Sequence, residues 1–268
     1  MIPIFKIDNL NYKLDDKKSF KDLNLEINSG DYVSIIAPNR SGKSVLTKII
    51  CAIIPTTGVC CLDDILLNKE NVLKYITKIG IVTNDIKRPF LFKKVKDELS
   101  FPLENLGYSN RKIKSIISKF SRLFEFNNLL NKNINDLGRI EKSKLLIVIS
   151  LLHEPKLLVL DDAFNEMDNK TKVFMLKKIK ELNENGLTVL NITSNLDTVY
   201  DSNRIIIMNN CKLEKEVTLE EILKNSNDLE KIGIEIPYII ELSRKLMKNN
   251  IIEKMFFSLD DLESALWK

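Results

Sequence analysis

Residues 37–44 read Ala37-Pro38-Asn39-Arg40-Ser41-Gly42-Lys43-Ser44 and are the most informative segment of the chain. An apolar, β-rich run precedes them from Tyr32 to Ile36, and a helical pattern of apolar residues follows from about Lys43 to Ile53. The segment is therefore predicted to be a polar loop between a buried strand and the first turn of a helix.

A loop in this position can hold a chain of phosphates. Successive backbone N–H groups and the helix N-terminus point at the phosphates, Lys43 reaches the β- and γ-phosphates, and the Ser44 hydroxyl binds Mg²⁺. The usual pattern begins with glycine, and Ala37 stands in that place. The residues predicted to bind a nucleotide through these phosphates are Ala37, Pro38, Asn39, Arg40, Ser41, Gly42, Lys43, Ser44 and Val45.

A second motif argues against an ordinary loop that contains Gly-Lys-Ser by chance. The run from Lys156 to Leu160 is apolar on both faces, as a central parallel strand requires, and it ends in Asp161-Asp162. An acid at the end of such a strand orients the magnesium shell beside a phosphate loop. Ser44 and Asp161 are therefore the predicted metal-binding residues.

The composition excludes several classes of protein. There are 41 basic and 37 acidic side chains, so the formal charge of 41 − 37 = +4 is small for a dedicated nucleic-acid binder. The longest apolar run, Leu145 to Leu152, is far too short to span a bilayer, and the first eight residues show no secretory signal. With four cysteines lacking a Cys-x-x-Cys pair and one histidine, His153, we expect a reduced cytosolic chain without a zinc site.

The order of the elements predicts an α/β fold with a mostly parallel sheet at its core. Residues 37–44 further resemble the loop of P-loop NTPases, and this resemblance implies that the sheet is RecA-like. Short strands over residues 4–29 predict an antiparallel β flank. Residues 111–130 show a helical spacing of apolar side chains within a helical subdomain at about residues 88–155. The last 40 residues have the pattern of an appended helical tail.

Several segments together resemble the ATP-binding subunit of an ABC transporter, in register from about residue 4 to 225. They are Asn9-Leu10-Asn11-Tyr12, residues 37–44, Ile79-Gly80-Ile81-Val82, residues 157–162, Met167-Asp168, Asn191-Ile192-Thr193 and residues 204–209. The tail from Leu229 to Pro237 further resembles the ATPases of energy-coupling-factor (ECF) transporters, which import vitamins and metal ions. The resemblance implies an ABC-type ATP-binding domain at residues 1–225 and a C-terminal helical tail at residues 226–268.

The same resemblance implies how the protein is assembled. Two such subunits enclose two ATP molecules, each contacted by the phosphate loop of one subunit and the signature segment of the other, and they drive an integral-membrane transport subunit. We therefore expect a peripheral protein at the cytoplasmic face of the cell membrane, paired with a second, paralogous ABC ATPase. No nucleic-acid partner is expected.

The residues that the family uses for hydrolysis are altered here. The Leu-Ser-Gly-Gly-Gln signature aligns with residues 137–141, Leu137-Gly138-Arg139-Ile140-Glu141, so one displaced glycine remains and Glu141 adds negative charge beside the partner's γ-phosphate. The catalytic glutamate aligns with Asp162, whose carboxylate is one methylene shorter, and the switch histidine aligns with Ser194. The Q-loop glutamine aligns with Asn84. Asp162, Ser194 and Asn84 are thus the candidate catalytic residues, and weak hydrolysis is expected.

Two further positions differ, and three functional interpretations stay open. The adenine-stacking aromatic falls at Leu14, and Arg40 replaces a loop glycine, where its charge can compensate for a left-handed backbone. The chain is either a slow or asymmetric ABC ATPase or a nucleotide-binding pseudoenzyme that is the structural half of a heterodimer. The third interpretation is a soluble ABC-type protein that acts on nucleic acid or ribosomes, for which the basic residues at 87–88, 93–94 and 111–119 can be cited.

Overall fold

The computed structural model describes residues 3–55, 57–83, 90–224, 226–256 and 259–267, which form two sheets and a series of helices. The strands are β1 (Phe5–Lys13), β2 (Ser19–Ile27), β3 (Tyr32–Ile36), β4 (Thr57–Leu62), β5 (Ile65–Leu66), β6 (Ile79–Thr83), β7 (Leu157–Asp161), β8 (Thr188–Thr193), β9 (Arg204–Asn209) and β10 (Lys212–Val217). The helices are α1 (Lys43–Ile50), α2 (Val72–Ile76), α3 (Val95–Asn105), α4 (Asn110–Leu123), α5 (Arg139–Leu151), α6 (Asn169–Glu184), α7 (Leu219–Lys224), α8 (Ser226–Lys231), α9 (Tyr238–Lys248) and α10 (Leu259–Leu266).

The larger sheet has six strands in the order β10-β9-β3-β8-β7-β6. Strands β9, β3, β8, β7 and β6 run parallel, and β10 pairs antiparallel with β9. Ile36 pairs with Thr193 and Asp161 with Ile192, so β3, β8 and β7 end at one edge of the sheet. The predicted α/β fold with a parallel core is confirmed, and the chain segments that follow these three strands meet at that edge.

The smaller sheet is the antiparallel flank, with the order β2-β1-β4-β5. Phe5, Ile7 and Leu10 of β1 are fully buried and belong to one apolar cluster with Leu46 and Ile49 of α1. The flank therefore supports the helix that follows residues 37–42.

Two helices end earlier than their sequence patterns predict. The pattern over residues 111–130 continues to Leu130, but α4 ends at Leu123 because Glu125 has a left-handed backbone with φ 52°. A short 3-10 turn at Asn127–Leu129 then carries the remaining apolar residues. Similarly, α1 ends at Ile50 rather than near Ile53, and Ala52 has φ 56°. At Glu125 the apolar spacing does not reveal the reversal, since Phe124 and Phe126 on either side of it are both fully buried, whereas Ile53 after Ala52 is 57% exposed.

The C-terminal helices form a cluster of their own. Ile239, Ile240, Ile252, Phe256 and Leu262 are buried against each other. A second cluster contains Ile205 and Ile207 of β9. Tyr200, Leu219 and Ile236 pack on both clusters. Within the described residues, no helix is both long and apolar enough to cross a bilayer.

Candidate nucleotide-binding site

The loop between β3 and α1 is fixed by contacts at both ends. Ala37 N–H donates to the carbonyl of Thr193 at 2.9 Å, which continues the β3–β8 pairing by one residue. At the other end Gly42 has φ 102° and precedes α1, and a methyl group on it would lie 3.1 Å from both Cys211 Sγ and Phe20 Cζ. Only glycine fits this position without strain.

Arg40 also has a left-handed backbone, with φ 63°, and its side chain is exposed. The alternation of left-handed residues in a loop turns successive N–H groups toward one side and forms a concave anion site. In the described part of the chain, no carbonyl accepts a hydrogen bond from the backbone N–H of Asn39, Arg40, Gly42, Lys43 or Ser44. The loop thus presents five amide donors at the N-terminus of a helix, where the helix dipole favours negative charge.

Lys43 lies under this loop and is almost completely buried, with 6% of its side chain exposed. Its Nζ donates to the carbonyl of Ala37 at 3.1 Å and lies 3.1 Å from Asp162 Oδ2. A buried ammonium needs such partners because desolvation of an unpaired charge is costly. Before a phosphate can engage Lys43, it has to compete with one carbonyl and one carboxylate.

Asp162 joins the phosphate loop to the segment that follows β8. Its Oδ1 accepts hydrogen bonds from Ser194 N–H at 3.0 Å, from Ser194 Oγ at 3.3 Å and from Thr193 Oγ1 at 3.3 Å. The backbone of Asp162 is left-handed, with φ 48°, and its N–H donates to Ile192 O. The fold therefore brings the predicted catalytic positions Asp162 and Ser194 into direct contact, and Asp162 into contact with Lys43.

Asp161 has the features of a magnesium ligand. It is 3% exposed, and no group in the described residues donates a hydrogen bond to its Oδ1. Burial raises the pKa of this carboxyl, while hydrogen bonds from Ser44 and Thr47 and the charge of Lys43 oppose the rise. An orphaned buried carboxylate oxygen next to the Ser44 hydroxyl supplies the hard oxygen donors that Mg²⁺ prefers, so these residues fit the ion.

The signature segment adopts a self-capped helix N-terminus. Gly138 precedes α5, and its N–H donates to Glu141 Oε2 at 2.9 Å. Lys132 Nζ lies 3.7 Å from Glu141 Oε1, and Arg139, which is 84% exposed, lies 3.8 Å from Glu166. The carboxylate of Glu141 thus occupies the N-terminal end of α5.

Two residues that the sequence analysis did not identify support the loop. Lys18 Nζ donates to the carbonyl of Arg40, and Cys211 N–H donates to the carbonyl of Ser41 at 2.9 Å, so two distant segments support the loop. Neither residue belongs to a motif, and only the fold reveals these contacts. Leu14 lies beside Gly42. Asn84 lies outside the described residues.

Comparisons with known proteins give one consistent result. The sequence profile of the ABC transporter family matches residues 20–165, which are 146 of the 268 residues. The energy-coupling factor transporter ATP-binding protein EcfA1 of Streptococcus pyogenes serotype M5 is 29% identical over 260 residues, or 96% of this chain and 93% of that protein.

Solved structures agree. The dimeric ATP-binding cassette MJ0796 bound to ADP and Pi is 26% identical, covers 80% of this chain and 98% of its own, and superposes with a TM-score of 0.71. CbiO1 from Clostridium perfringens, part of the ABC transporter complex cbiONQ, covers 91% of this chain and all of its own at a TM-score of 0.76, and at 23% identity it supports the fold alone. Since the family profile matches more than half of the chain, including residues 37–44, Asp161 and three of the six strands of the larger sheet, this protein belongs to the ABC transporter family as an ATP-binding domain.

Proposed function

We propose that residues 37–45 bind the phosphates of ATP and that Ser44 and Asp161 hold its magnesium ion. The observation that carries this proposal is the set of five loop amides that find no backbone carbonyl acceptor among the described residues, above a buried Lys43. Five backbone donors and one buried ammonium suit a polyanion much better than a neutral ligand. The bound ion would neutralise phosphate oxygens, while the chain's own residues orient the triphosphate.

The chain is, on this proposal, the ATP-binding subunit of an ECF-type importer and works with an integral-membrane transport subunit. Its match over 96% of its length to proteins named for energy-coupling factor transporters supports this assignment, and the match includes the C-terminal tail. Residues 1–225 would be the ATP-binding domain and residues 226–268 the tail. The protein would be peripheral at the cytoplasmic face of the membrane.

Hydrolysis by this chain is proposed to be weak, for reasons visible at three positions. Both carboxylate oxygens of Asp162 already have partners, so none is available to accept a proton from water without rearrangement. Ser194 has no imidazole to stabilise a developing charge on the γ-phosphate. Glu141 places an anion at the start of α5, where the family positions the partner subunit's γ-phosphate.

The second candidate is a pseudo-ATPase that binds ATP and completes a heterodimer with a catalytically intact, paralogous subunit. The buried pair of Lys43 with Asp162 favours this candidate, because it positions the acid as a ligand of the lysine rather than as a base. Both candidates predict ATP binding, and turnover separates them.

The experiment measures binding and turnover on the same preparations. Calorimetry with Mg-ATP tests the site, and the Lys43→Ala variant is the control that should not bind. Release of inorganic phosphate is then measured for the chain alone and for the chain co-purified with a second ABC ATPase subunit. Slow release by the chain alone supports the weak ATPase, and no release above the Lys43→Ala background supports the pseudo-ATPase. Failure of the wild type to bind Mg-ATP would refute both.

A further inference from the structure

The turn that follows α8 lies near the phosphate loop. Pro38 is buried although its neighbours Asn39 and Arg40 are exposed. A methyl group built on Gly233 would lie 3.7 Å from Pro38 Cβ, which is an ordinary van der Waals distance. The C-terminal segment therefore forms part of the environment of the loop whose five amides find no carbonyl acceptor in the described part of the chain.

Hydrogen bonds hold this turn in one conformation. Gly233 N–H donates to Glu230 O at 2.9 Å, Ile234 N–H donates to Leu229 O at 3.0 Å, and Gly233 has φ 89°. This is the pattern of a helix that ends in a left-handed glycine. The cap fixes the direction in which the chain leaves α8, and so it fixes where Ile234 is placed.

Ile234 connects the turn to two segments of the site. It is 1% exposed and belongs to one apolar cluster with Ile36, the last residue of β3, and with Leu196 and Val199, which follow Ser194. Leu229, 3% exposed, lies in the same cluster. The turn thus shares one apolar cluster with Ile36 and with residues 196–199, which lie on both sides of the candidate site.

From these contacts we infer that Gly233 and Ile234 are positioning residues for nucleotide binding, through which the C-terminal tail holds the phosphate loop in its open, amide-presenting shape. The inference rests on the proposed function, since it concerns the same site. Packed interiors transmit displacement rather than absorb it. If the turn retracts, Pro38 loses its cover and the backbone of residues 38–40 is free to reorient, which turns amide donors away from the phosphates.

The effect is reciprocal. A turn that stabilises the binding conformation of the loop must itself be stabilised by bound nucleotide, because coupling between two sites acts equally in both directions. The rest of the tail packs mainly on its own cluster, which shares only Tyr200, Leu219 and Ile236 with the cluster of Ile234 in the described residues, so coupling should be strongest at residues 229–236.

The test compares two matched isoleucine substitutions. Ile234→Ala and Ile240→Ala remove the same atoms from sites that are 1% and 0% exposed, but Ile240 packs in the cluster of the tail and away from the loop. Affinity for Mg-ADP is measured by calorimetry, because a diphosphate avoids turnover during the titration. Ile234→Ala should weaken binding about tenfold, Ile234→Val should restore most of it, and Ile240→Ala should stay within about twofold of the wild type.

Two results would overturn the inference. The first is an affinity of Ile234→Ala for Mg-ADP equal to that of the wild type. The second is an equal loss of affinity in Ile234→Ala and Ile240→Ala, which would indicate general destabilisation. Should Ile234→Ala fail to fold, hydrogen exchange in the wild type decides. The amides of residues 229–236 should exchange more slowly when Mg-ADP is added, and this slowing should be absent in Lys43→Ala. Unchanged exchange in a wild type that binds Mg-ADP refutes the coupling but leaves the nucleotide site intact, whereas a wild type that does not bind refutes the proposed function itself.

Discussion

Lys43 Nζ lies 3.1 Å from Asp162 Oδ2, and the two side chains are 6% and 13% exposed. The cation that the phosphate loop offers to a nucleotide is therefore already paired with the chain's own carboxylate. On the proposed function, a phosphate that binds here would exchange one anion for another around the same ammonium, and Asp162 would keep its hydrogen bonds from Ser194 and Thr193.

The pair itself can be measured by a double-mutant cycle on folding stability. Lys43→Ala and Asp162→Ala each leave a nearly buried charge without its partner. The losses of unfolding free energy in the two single variants should therefore add up to more than the loss in the double variant. A coupling of about 0.5–3 kcal/mol is expected from urea unfolding of the four proteins. Additive effects would show that the two groups do not interact in solution.

The same series tests the role of Lys43 in binding. Lys43→Ala should abolish ATP binding, and Lys48→Ala, on the exposed side of α1, should not.

Removal of the competing acid should strengthen nucleotide binding. Asp162→Asn keeps a hydrogen-bond acceptor for Ser194 N–H but no longer opposes the phosphates with a negative charge. We expect affinity for Mg-ADP to rise about tenfold, which corresponds to about 1.4 kcal/mol. Glu166→Gln is the matched control. Glu166 lies four residues after Asp162 and pairs with Arg139, so this variant removes the same charge without changing the partners of Lys43. Equal or weaker binding by Asp162→Asn would argue that Asp162 orients Lys43 instead of competing for it.

Arg40 allows backbone strain and charge to be separated. Its φ of 63° is unfavourable for a residue with a Cβ, by about 1 kcal/mol, and both glycine and asparagine adopt this region more easily. The free energy of unfolding of Arg40→Gly and of Arg40→Asn should therefore equal that of the wild type or exceed it by up to about 1 kcal/mol. Both should bind Mg-ATP several-fold more weakly, because each loses a positive charge beside the phosphates. If either variant binds as tightly as the wild type, the charge of Arg40 has no role in binding.

Much of the fold could be predicted because its signals are local. The buried strand from Tyr32 to Ile36, the polar loop after it and the double-sided apolar run before Asp161 each follow from side-chain pattern alone, and the structure confirms all three. The parallel sheet follows from the alternation of strands and helices. Backbone reversals such as the one at Glu125 have no comparable signal, so the end of α4 could not be predicted.

The site was predictable where it consists of a motif and was missed where it depends on tertiary contact. Lys43, Ser44 and Asp161 stand at fixed places in strand–loop–helix and strand–acid patterns. The support given to the loop by Lys18, and the packing of Gly233 on Pro38, join residues 22 and 195 positions apart. No periodicity links such positions, and only the folded chain brings them together.

Asp161 gives a test that depends on pH. Burial raises the pKa of this carboxyl above its ordinary value of 3.8 in the folded chain. The protonated form is thus favoured by folding, so this group's contribution to stability is fully present below about pH 4 and is lost as pH rises through its folded pKa. Asp161→Asn should therefore gain stability relative to the metal-free wild type as pH rises, and it should lose the stabilisation that Mg-ATP gives the wild type.

The control for that experiment has the opposite sign. Asp168 caps α6, and hydrogen bonds from the backbone and side chain of Thr171 lower the pKa of its carboxyl. Its contribution to stability is present above its ordinary pKa and is lost as pH falls. Asp168→Asn should thus become less stable relative to the wild type as pH rises, and parallel pH trends in the two variants would contradict the assignment of Asp161.

Glu141 links local stability to assembly with a partner subunit. Because its carboxylate accepts the N–H of Gly138 at the start of α5, Glu141→Ala should lower the free energy of unfolding by about 0.5–2 kcal/mol. Glu141→Gln keeps this hydrogen bond and loses only the charge and an exposed contact with Lys132, which is worth about 0–1 kcal/mol. If residues 137–141 are the signature segment, as proposed, light scattering in the presence of Mg-ATP should then show stronger association of Glu141→Gln than of the wild type, since this variant removes an anion that would face the partner's phosphates. Association that is unchanged in Glu141→Gln, at unchanged stability, would mean that this end of α5 does not meet a phosphate in the assembled protein.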